Sequence, residues 1–285
     1  MSKILLAGAT GYLGGYILSE LLRQQHEVRV IVRNRTKLEQ KNYEKVEVIE
    51  AEITKLESIN NCCDNIDFVI STVGITKQKD GLTYMDVDYQ ANKNLLKEAK
   101  KSGVKKFVYI SLLNGQKLKN LKICEAKELF VNELKKSGID YCIIRPNGFF
   151  SDMSEIFYMA QKGRVYLFGD GKYKANPIHG EDLAVVCVNS IENARKEINI
   201  GGPETLSQNE IASIAFNIAE KEIKITYIPN WIRKIILFII RTFTSQKFYG
   251  SIEFFLTVLS MDMIAPEKGK HTLEEFYGNL KNNHM

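Results

Sequence analysis

The chain has 285 residues, 45% apolar and 26% charged, which is enough for one large core or for a domain with a smaller partner. A formal net charge of +5 is far from the dense basic stripe of a nucleic-acid binder, and no nucleic-acid partner is expected. No run reaches the roughly eighteen apolar residues that span a bilayer, and the five cysteines lack metal-ligand spacing.

Cys62, Cys63, Cys124, Cys142 and Cys187 therefore read as reduced thiols of a cytoplasmic protein. A first strand that begins at Lys3 leaves no room for a signal peptide in this sequence. The lysine pairs at 100–101, 105–106 and 135–136 flank predicted strands and read as solvated helix ends.

Lys3 to Ala7 (KILLA) is an apolar run of strand length. From Tyr12 to Gln25, Leu13, Ile17, Leu18, Leu21 and Leu22 share one helix face. Between them lies Gly8-Ala-Thr-Gly-Tyr-Leu-Gly14, so strand, glycine-rich turn and helix follow one another. That order suits a dinucleotide's pyrophosphate. Gly8 allows the tight turn, Gly11 lets the backbone approach, and Gly14 lets the helix pack on the strand. The helix N-terminus, with Thr10, Tyr12 and Leu13 around it, faces the anion.

The second strand, Glu27 to Val32, ends in Val32-Arg33-Asn34-Arg35, with no carboxylate before Glu39. An NAD-preferring fold places Asp or Glu here for the ribose 2′-hydroxyl. A guanidinium instead pairs with a 2′-phosphate, so Arg33, with Asn34 and Arg35 beside it, predicts NADP(H) as cofactor.

Val46 to Ala51 predicts a third strand, Leu56 to about Cys63 a short helix, and Asn65 to Ser71 a fourth strand running into Thr72-Val73-Gly74. A helix is expected over Thr83 to Lys101, a strand over Lys106 to Ser111, a helix over Ile123 to Lys136, and a strand over Asp140 to Arg145. This alternation predicts an α/β fold, a doubly wound parallel sheet with helices on both faces.

From Asn147 the rhythm changes, with Gly163, Gly169, Gly171, Pro177 and Pro203 breaking the chain into short pieces. The expected organisation is a nucleotide-binding domain over 1–150 and a smaller, irregular substrate or lid region over 151–285, packed at the carboxyl ends of the strands. In that region Val165 to Phe168 and Glu197 to Ile200 predict strands, and Glu181 to Glu192 a helix. Ser207 and Glu210 predict a capping box.

Taken together, the segments GATGYLG (8–14), VIVRN (30–34), NLLKEAKKSGVKKFVYIS (94–111), AKELFVNELKKSGIDYCIIRPNGFF (126–150), NPIHGEDLA (176–184) and NIGGPETLS (199–207) carry a resemblance. They resemble the short-chain dehydrogenase/reductases, in their atypical NmrA-like branch with a Rossmann domain. The resemblance covers about residues 1–210. It implies that Ser111 matches the family serine and Lys127 the family lysine. Ile123 stands four residues before Lys127, where dehydrogenase members carry the acid tyrosine.

The resemblance also implies that Thr72, Val73, Gly74, Ser111, Lys127, Pro146, Asn147 and Phe149 lie along the cofactor, with 146–149 beside the nicotinamide. His179, in NPIHGEDL, becomes a candidate substitute acid, with Tyr89 and Tyr173 as alternatives. Relatives without the tyrosine either transfer hydride from NADPH, protonating substrate through another group or water, or bind the nucleotide without turnover. The expected activity is NADPH-dependent reduction of a hydrophobic carbonyl or alkene. The alternative is a sensor or assembly factor.

Trp231 to Phe243 (WIRKIILFIIRTF) places Arg233, Lys234 and Arg241 within about a third of a helix circumference and is otherwise apolar except for Thr242. A second apolar stretch runs from Ile252 to Met263. The first can be a core helix, a lid over an apolar pocket, or a membrane-surface helix. The expected small-molecule partner is hydrophobic, and oligomeric state is not encoded in any of these patterns.

Overall fold

In the computed structural model, residues 2–39, 46–78 and 81–282 are described. The first elements are β1 (Lys3–Ala7), α1 (Tyr12–Arg23), β2 (Glu27–Val32), α2 (Thr36–Glu39), β3 (Val46–Glu50) and β4 (Phe68–Ser71). They are followed by α3 (Asn92–Lys101), β5 (Lys106–Ile110), α4 (Lys122–Lys136) and β6 (Asp140–Pro146). The later elements are α5 (Phe150–Gln161), β7 (Val165–Phe168), β8 (Lys174–Ala175), α6 (Gly180–Asn189) and β9 (Glu197–Ile200). The chain closes with β10 (Leu206–Ser207), α7 (Gln208–Ala219), β11 (Ile225–Ile228), α8 (Asn230–Phe243), α9 (Gln246–Val258) and α10 (Leu273–Asn282).

The chain forms two compact units. One comprises Met1–Arg145 and Leu183–Ile198, the other Pro146–Asp182 and Asn199–Met285, where a single boundary near residue 150 was expected.

A seven-stranded sheet has the order β3-β2-β1-β4-β5-β6-β9. Its pairings from β3 to β6 are parallel. The β6–β9 pair is parallel too, because Ile143 N–H donates to Lys196 and Asn147 N–H to Ile200, both sides advancing by four residues. The chain winds outward through β2 and β3, then returns to lay β4 on the other side of β1. The order therefore reverses between β1 and β4, and an open α/β sheet has its ligand crevice at such a switch point. This confirms the expected doubly wound α/β fold.

One face of the sheet packs Leu5, Val69, Phe107 and Tyr109 against Leu95, Leu96 and Ala99 of α3 and Phe130, Val131 and Leu134 of α4. The Tyr109 ring meets Phe130 edge-on at 4.6 Å. Each buried leucine, valine or phenylalanine there contributes about 1.5–3 kcal/mol. In the second unit α5, α7 and α10 enclose a separate core. There Phe157 stacks on Tyr277 at 5.1 Å, and the Tyr277 hydroxyl donates to Met153 O at 2.9 Å.

Three local departures have physical causes. β4 starts at Phe68 rather than Asn65, because Asn65 adopts φ +59, which no strand continues. The helix expected over Thr83 to Lys101 opens into a π-helix at Met85–Ala91 before α3. The buried polar Asp88 lies in it, and the buried polar Asn92 follows it as the first residue of α3. Lys106 is buried, its Nζ donating to Ile191 O at 3.3 Å, and is not the solvated helix-end residue its sequence context suggests.

Candidate functional site: a nucleotide cradle at the ends of β1, β2 and β4

β1 leads directly into the glycine turn, where Gly11 N–H donates to Gly8 O at 3.0 Å and α1 begins at Tyr12. Gly8 has φ +94, and a Cβ there would lie 2.3 Å from Thr72 Oγ1, on the loop after β4. A Cβ on Gly14 would lie 2.0 Å from Gly8 O and 2.9 Å from Ala9 Cα. Both glycines are therefore sterically required, one by turn and approach, the other by helix-on-turn packing. Thr10 and Gly11 are exposed, Tyr12 is half-buried and Leu13 is buried. Gly11 caps α1 without a side-chain bond, and no acidic residue occupies the first turn. The positive helix end is thus placed to meet an incoming anion.

Thr72 Oγ1 bridges the two loops, donating toward Ala7 O at 3.2 Å and Gly8 O at 3.3 Å. Val73 O accepts from Asn92 Nδ2 at 3.1 Å, and Asn92 Oδ1 accepts from Ser71 Oγ at 2.6 Å. Asn92, a residue the sequence reading did not single out, therefore holds the Thr72-Val73-Gly74 loop. Its signal was the i, i+4 pair Asp88/Asn92 on a helix face that otherwise buries apolar residues.

At the end of β2, Arg33, Asn34 and Arg35 are exposed. Asn34 Oδ1 accepts from Thr36 N and Thr36 Oγ1 at 2.9 and 2.6 Å, so its side chain organises the start of α2. Arg35 N–H donates to Glu50 Oε2 at 3.1 Å. Glu50 is a carboxylate beside the arginines, invisible in the linear sequence because β3 supplies it, opposite Val32. The side chain of Glu39 lies outside the described residues.

Lys127 of α4 pairs with Asp88 at 2.8 Å, with Asp88 fully buried and Lys127 nearly so. Asp88 Oδ2 also accepts Ile75 N–H at 3.2 Å. Burial pushes the Asp88 carboxyl up from its usual range, with Lys127 and the Ile75 amide opposing it. Burial works against charge on Lys127, but Asp88 and Tyr109 more than offset it and raise the ammonium's pKa. A Cβ on Gly74 would lie 2.6 Å from Asp88 Oδ1 and 2.7 Å from Lys127 Nζ, so this pair sits directly against the exposed glycine of the β4 loop.

Tyr109, also at Lys127, does not replace the missing family tyrosine. It is fully buried, and desolvation pushes its phenol up to about 12. Ile123, at the tyrosine's position, is buried in the apolar core.

Ser111 follows β5 and is engaged elsewhere. Its hydroxyl accepts from Arg145 Nη1 at 3.4 Å and approaches Glu128 Oε1 at 3.5 Å. Arg145 and Glu128 form a buried two-pronged pair, with Nη2 to Oε2 at 3.1 Å and a second short contact between Nη1 and Oε1. Burial disfavours charge on Arg145, but Glu128 and Glu197 outweigh it and raise its pKa. Adjacent residues Lys127 and Glu128 thus serve two separate ion pairs, and Ser111 belongs to the second.

Pro146, Asn147, Phe149 and His179 belong to the second unit. The buried Asn147 amide donates to Asn176 Oδ1 at 2.7 Å and to Met263 O, while its Oδ1 accepts Gly148 N–H at 2.8 Å. That amide has a packing role. Phe149 precedes α5 and is half-buried. His179 Nδ1 accepts Glu181 N–H at 3.3 Å, and burial followed by the nearby His271 lowers its pKa.

Comparison with known proteins agrees with this geometry. Residues 8–194 match the family model described as NAD(P)H-binding. The divinyl chlorophyllide a 8-vinyl-reductase of Arabidopsis thaliana is 28% identical over 98% of this chain and 76% of its own length. A Photosystem II assembly factor, Ycf39 of Synechocystis sp., is 25% identical over 80% of this chain and 71% of its own length. Among solved structures, a nucleoside-diphosphate-sugar epimerase of Staphylococcus aureus superposes with TM-score 0.76 at 20% identity, covering 97% of this chain and 99% of that one. An NADPH-dependent quinone oxidoreductase complexed with NADPH, from Escherichia coli, gives 0.74 at 17% identity, covering 98% and 100%. The chain belongs to the NAD(P)H-binding family, as an atypical short-chain dehydrogenase/reductase of the NmrA-like kind with a Rossmann sheet.

Proposed function

We propose that the protein is an NADPH-dependent reductase of an alkene or carbonyl on a hydrophobic substrate. The observation that carries this reading is the cradle in which Gly8 and Gly14 admit no side chain and Arg33 and Arg35 end β2. The donor set fits the cofactor: a helix N-terminus for pyrophosphate, guanidinium groups for a 2′-phosphate, and a lysine beneath Gly74 for ribose hydroxyls. The bound nicotinamide would supply the hydride. Lys127, held charged by Asp88, orients rather than tunes an acid, because Tyr109, the phenol beside it, is fully buried. The vinyl-reductase relatives favour an alkene over a carbonyl.

Incubation with NADPH and a panel of enones, quinones and vinyl-bearing tetrapyrroles should give substrate-dependent loss of NADPH absorbance. Bound NADPH with no oxidation across the panel would reject the reductase. That outcome would favour a second reading, a nucleotide-binding assembly partner, which the buried Ile123 and the assembly-factor relatives support. The proton comes from water or from another group.

Cofactor choice has a direct check. Arg33→Glu turns a charge-assisted pair into a clash, so NADPH affinity should fall at least about 30-fold, a change of roughly 2 kcal/mol, while NADH affinity stays within about threefold. Equal losses for both would remove Arg33 from the 2′-phosphate site.

The proposed substrate class also fits α8. Trp231, Ile235, Phe238, Ile239 and Phe243 are all exposed and share one side of this helix, which a core helix would bury. Lys234 and Arg241 flank that apolar arc, and no helix among the described residues is long and apolar enough to cross a membrane. The reading is a helix lying in an anionic bilayer surface. Trp231→Ser with Phe238→Ser should cut partitioning onto anionic vesicles at least about 100-fold, since each ring contributes roughly 1.5–3 kcal/mol. Equal co-sedimentation of variant and wild type would remove the membrane role.

A further inference from the structure

The second unit holds a cluster that the nucleotide site does not use. His179 precedes α6, Glu181 lies in its first turn, and His271 comes from the turn before α10. One ligand atom from each lies within 4.8 Å of the others. Glu181 Oε2 is 3.6 Å from His271 Nε2, and the two imidazole rings are 4.4 Å apart.

The second observation is how His271 is held. Its Nδ1 lies 3.0 Å from Asp182 Oδ1. Asp182 Oδ2 accepts the Lys270 and His271 backbone N–H groups at 3.0 and 3.1 Å, so the carboxylate is fixed before the imidazole meets it. A Cβ on Gly269 would lie 2.3 Å from Asp182 Oδ2, so the turn wraps the carboxylate as closely as a backbone can. A carboxylate on Nδ1 fixes the N–H there and turns the Nε2 lone pair toward Glu181 and His179. This carboxylate–histidine arrangement is the one that orients metal-bound imidazoles. His179 is backed by the Phe150 and Phe276 rings at 5.8 and 6.2 Å, while Glu181 is exposed. One wall is apolar, and the opposite side is open for water.

We infer that His179, Glu181 and His271 form a divalent transition-metal site of the zinc class, with Asp182 as the residue that orients His271. Two imidazoles and one carboxylate match the ligand preference of zinc, and water fills the fourth position. Zinc–ligand bonds of about 2.0–2.1 Å in a tetrahedron place ligand atoms about 3.3 Å apart. The Glu181–His271 separation is already close to that, Glu181 is exposed and can rotate, and His179 exchanges the bond its Nδ1 accepts from Glu181 N–H for the metal. The metal would pin the Gly269–His271 turn to the start of α6.

The test uses the full-length protein, stripped with a chelator and titrated with ZnCl2 or CoCl2. The expected result is about one equivalent bound, a visible Co2+ band of tetrahedral intensity, and a raised Tm. His271→Ala and Glu181→Gln should each remove the band, and Asp182→Asn should weaken binding about 10–100-fold. Glu181 is exposed, so its variant keeps the fold even where His271→Ala does not. Absence of saturable binding would overturn the site. So would binding that survives unchanged in Glu181→Gln, which would place the metal on other groups such as the cysteines. A His271 that serves only as a protonated partner of Asp182 and Glu181 would show as a pH-dependent Tm with no metal effect, and would equally overturn it.

Discussion

Gly14→Ala is expected to abolish measurable NADPH binding, with an affinity loss of at least about 100-fold and a stability loss of about 2–4 kcal/mol. The added carbon would lie 2.0 Å from Gly8 O and 2.7 Å from Gly8 C. Both are backbone atoms of the turn, so relief requires α1 to lift away from β1. That displaces the helix end from the anion it is aimed at. Gly278→Ala is the control: its new methyl meets nothing within 4 Å, and the site lies in α10. It should be neutral or mildly stabilising, by up to about 1 kcal/mol. Thermal melting of both variants separates lost folding from lost binding, because a folded Gly14→Ala protein that still bound NADPH normally would remove the glycine turn from the site.

The second large effect is expected at the Asp88–Lys127 pair. Lys127→Met leaves a fully buried carboxylate without its counter-ion and should cost about 3–5 kcal/mol by chemical denaturation near neutral pH. The double variant Asp88→Ala/Lys127→Met should recover much of that, because no unpaired charge remains buried. The pH dependence has a definite sign. Burial already pushes Asp88 above its ordinary value of 3.8, and removing Lys127 deletes the main opposing influence. The folded variant then holds a proton that its unfolded chain releases. Its stability deficit should be small below the ordinary aspartate value and should grow as pH rises through the raised folded value. A deficit that shrank with rising pH would contradict the pairing. NADPH affinity should also fall in Lys127→Met, since Gly74 rests on this pair.

The parts of the fold set by local periodicity were legible in the sequence. The alternating strands and helices from Lys3 to Arg145, the glycine turn and the Ser207–Glu210 cap all follow from patterns of neighbouring residues. The parts set by distant partners were not. Glu50 reaches the arginines only because β3 lies beside β2. Asp88 and Asn92 stand on the apolar face of their helix, but their partners Lys127, Ser71 and Val73 are distant in sequence. Ser111 stands as the family serine through the resemblance, and the bond its hydroxyl accepts from Arg145, 34 positions on, is not visible in the linear sequence. A linear pattern also could not tell which side of α8 faces outward, and the outward side is the apolar one. The missing tyrosine, by contrast, was plain, and Ile123 packs as the apolar residue it is.

In the proposed function the loop after β1 and the arginines after β2 together hold NADPH. Fluorescence titration of the purified protein with NADPH and with NADH tests this most directly. Saturable NADPH binding at least about tenfold tighter than NADH is expected, a difference of roughly 1.4 kcal/mol from the 2′-phosphate contacts. Equal affinity for the two nucleotides, or saturation by neither, would contradict it.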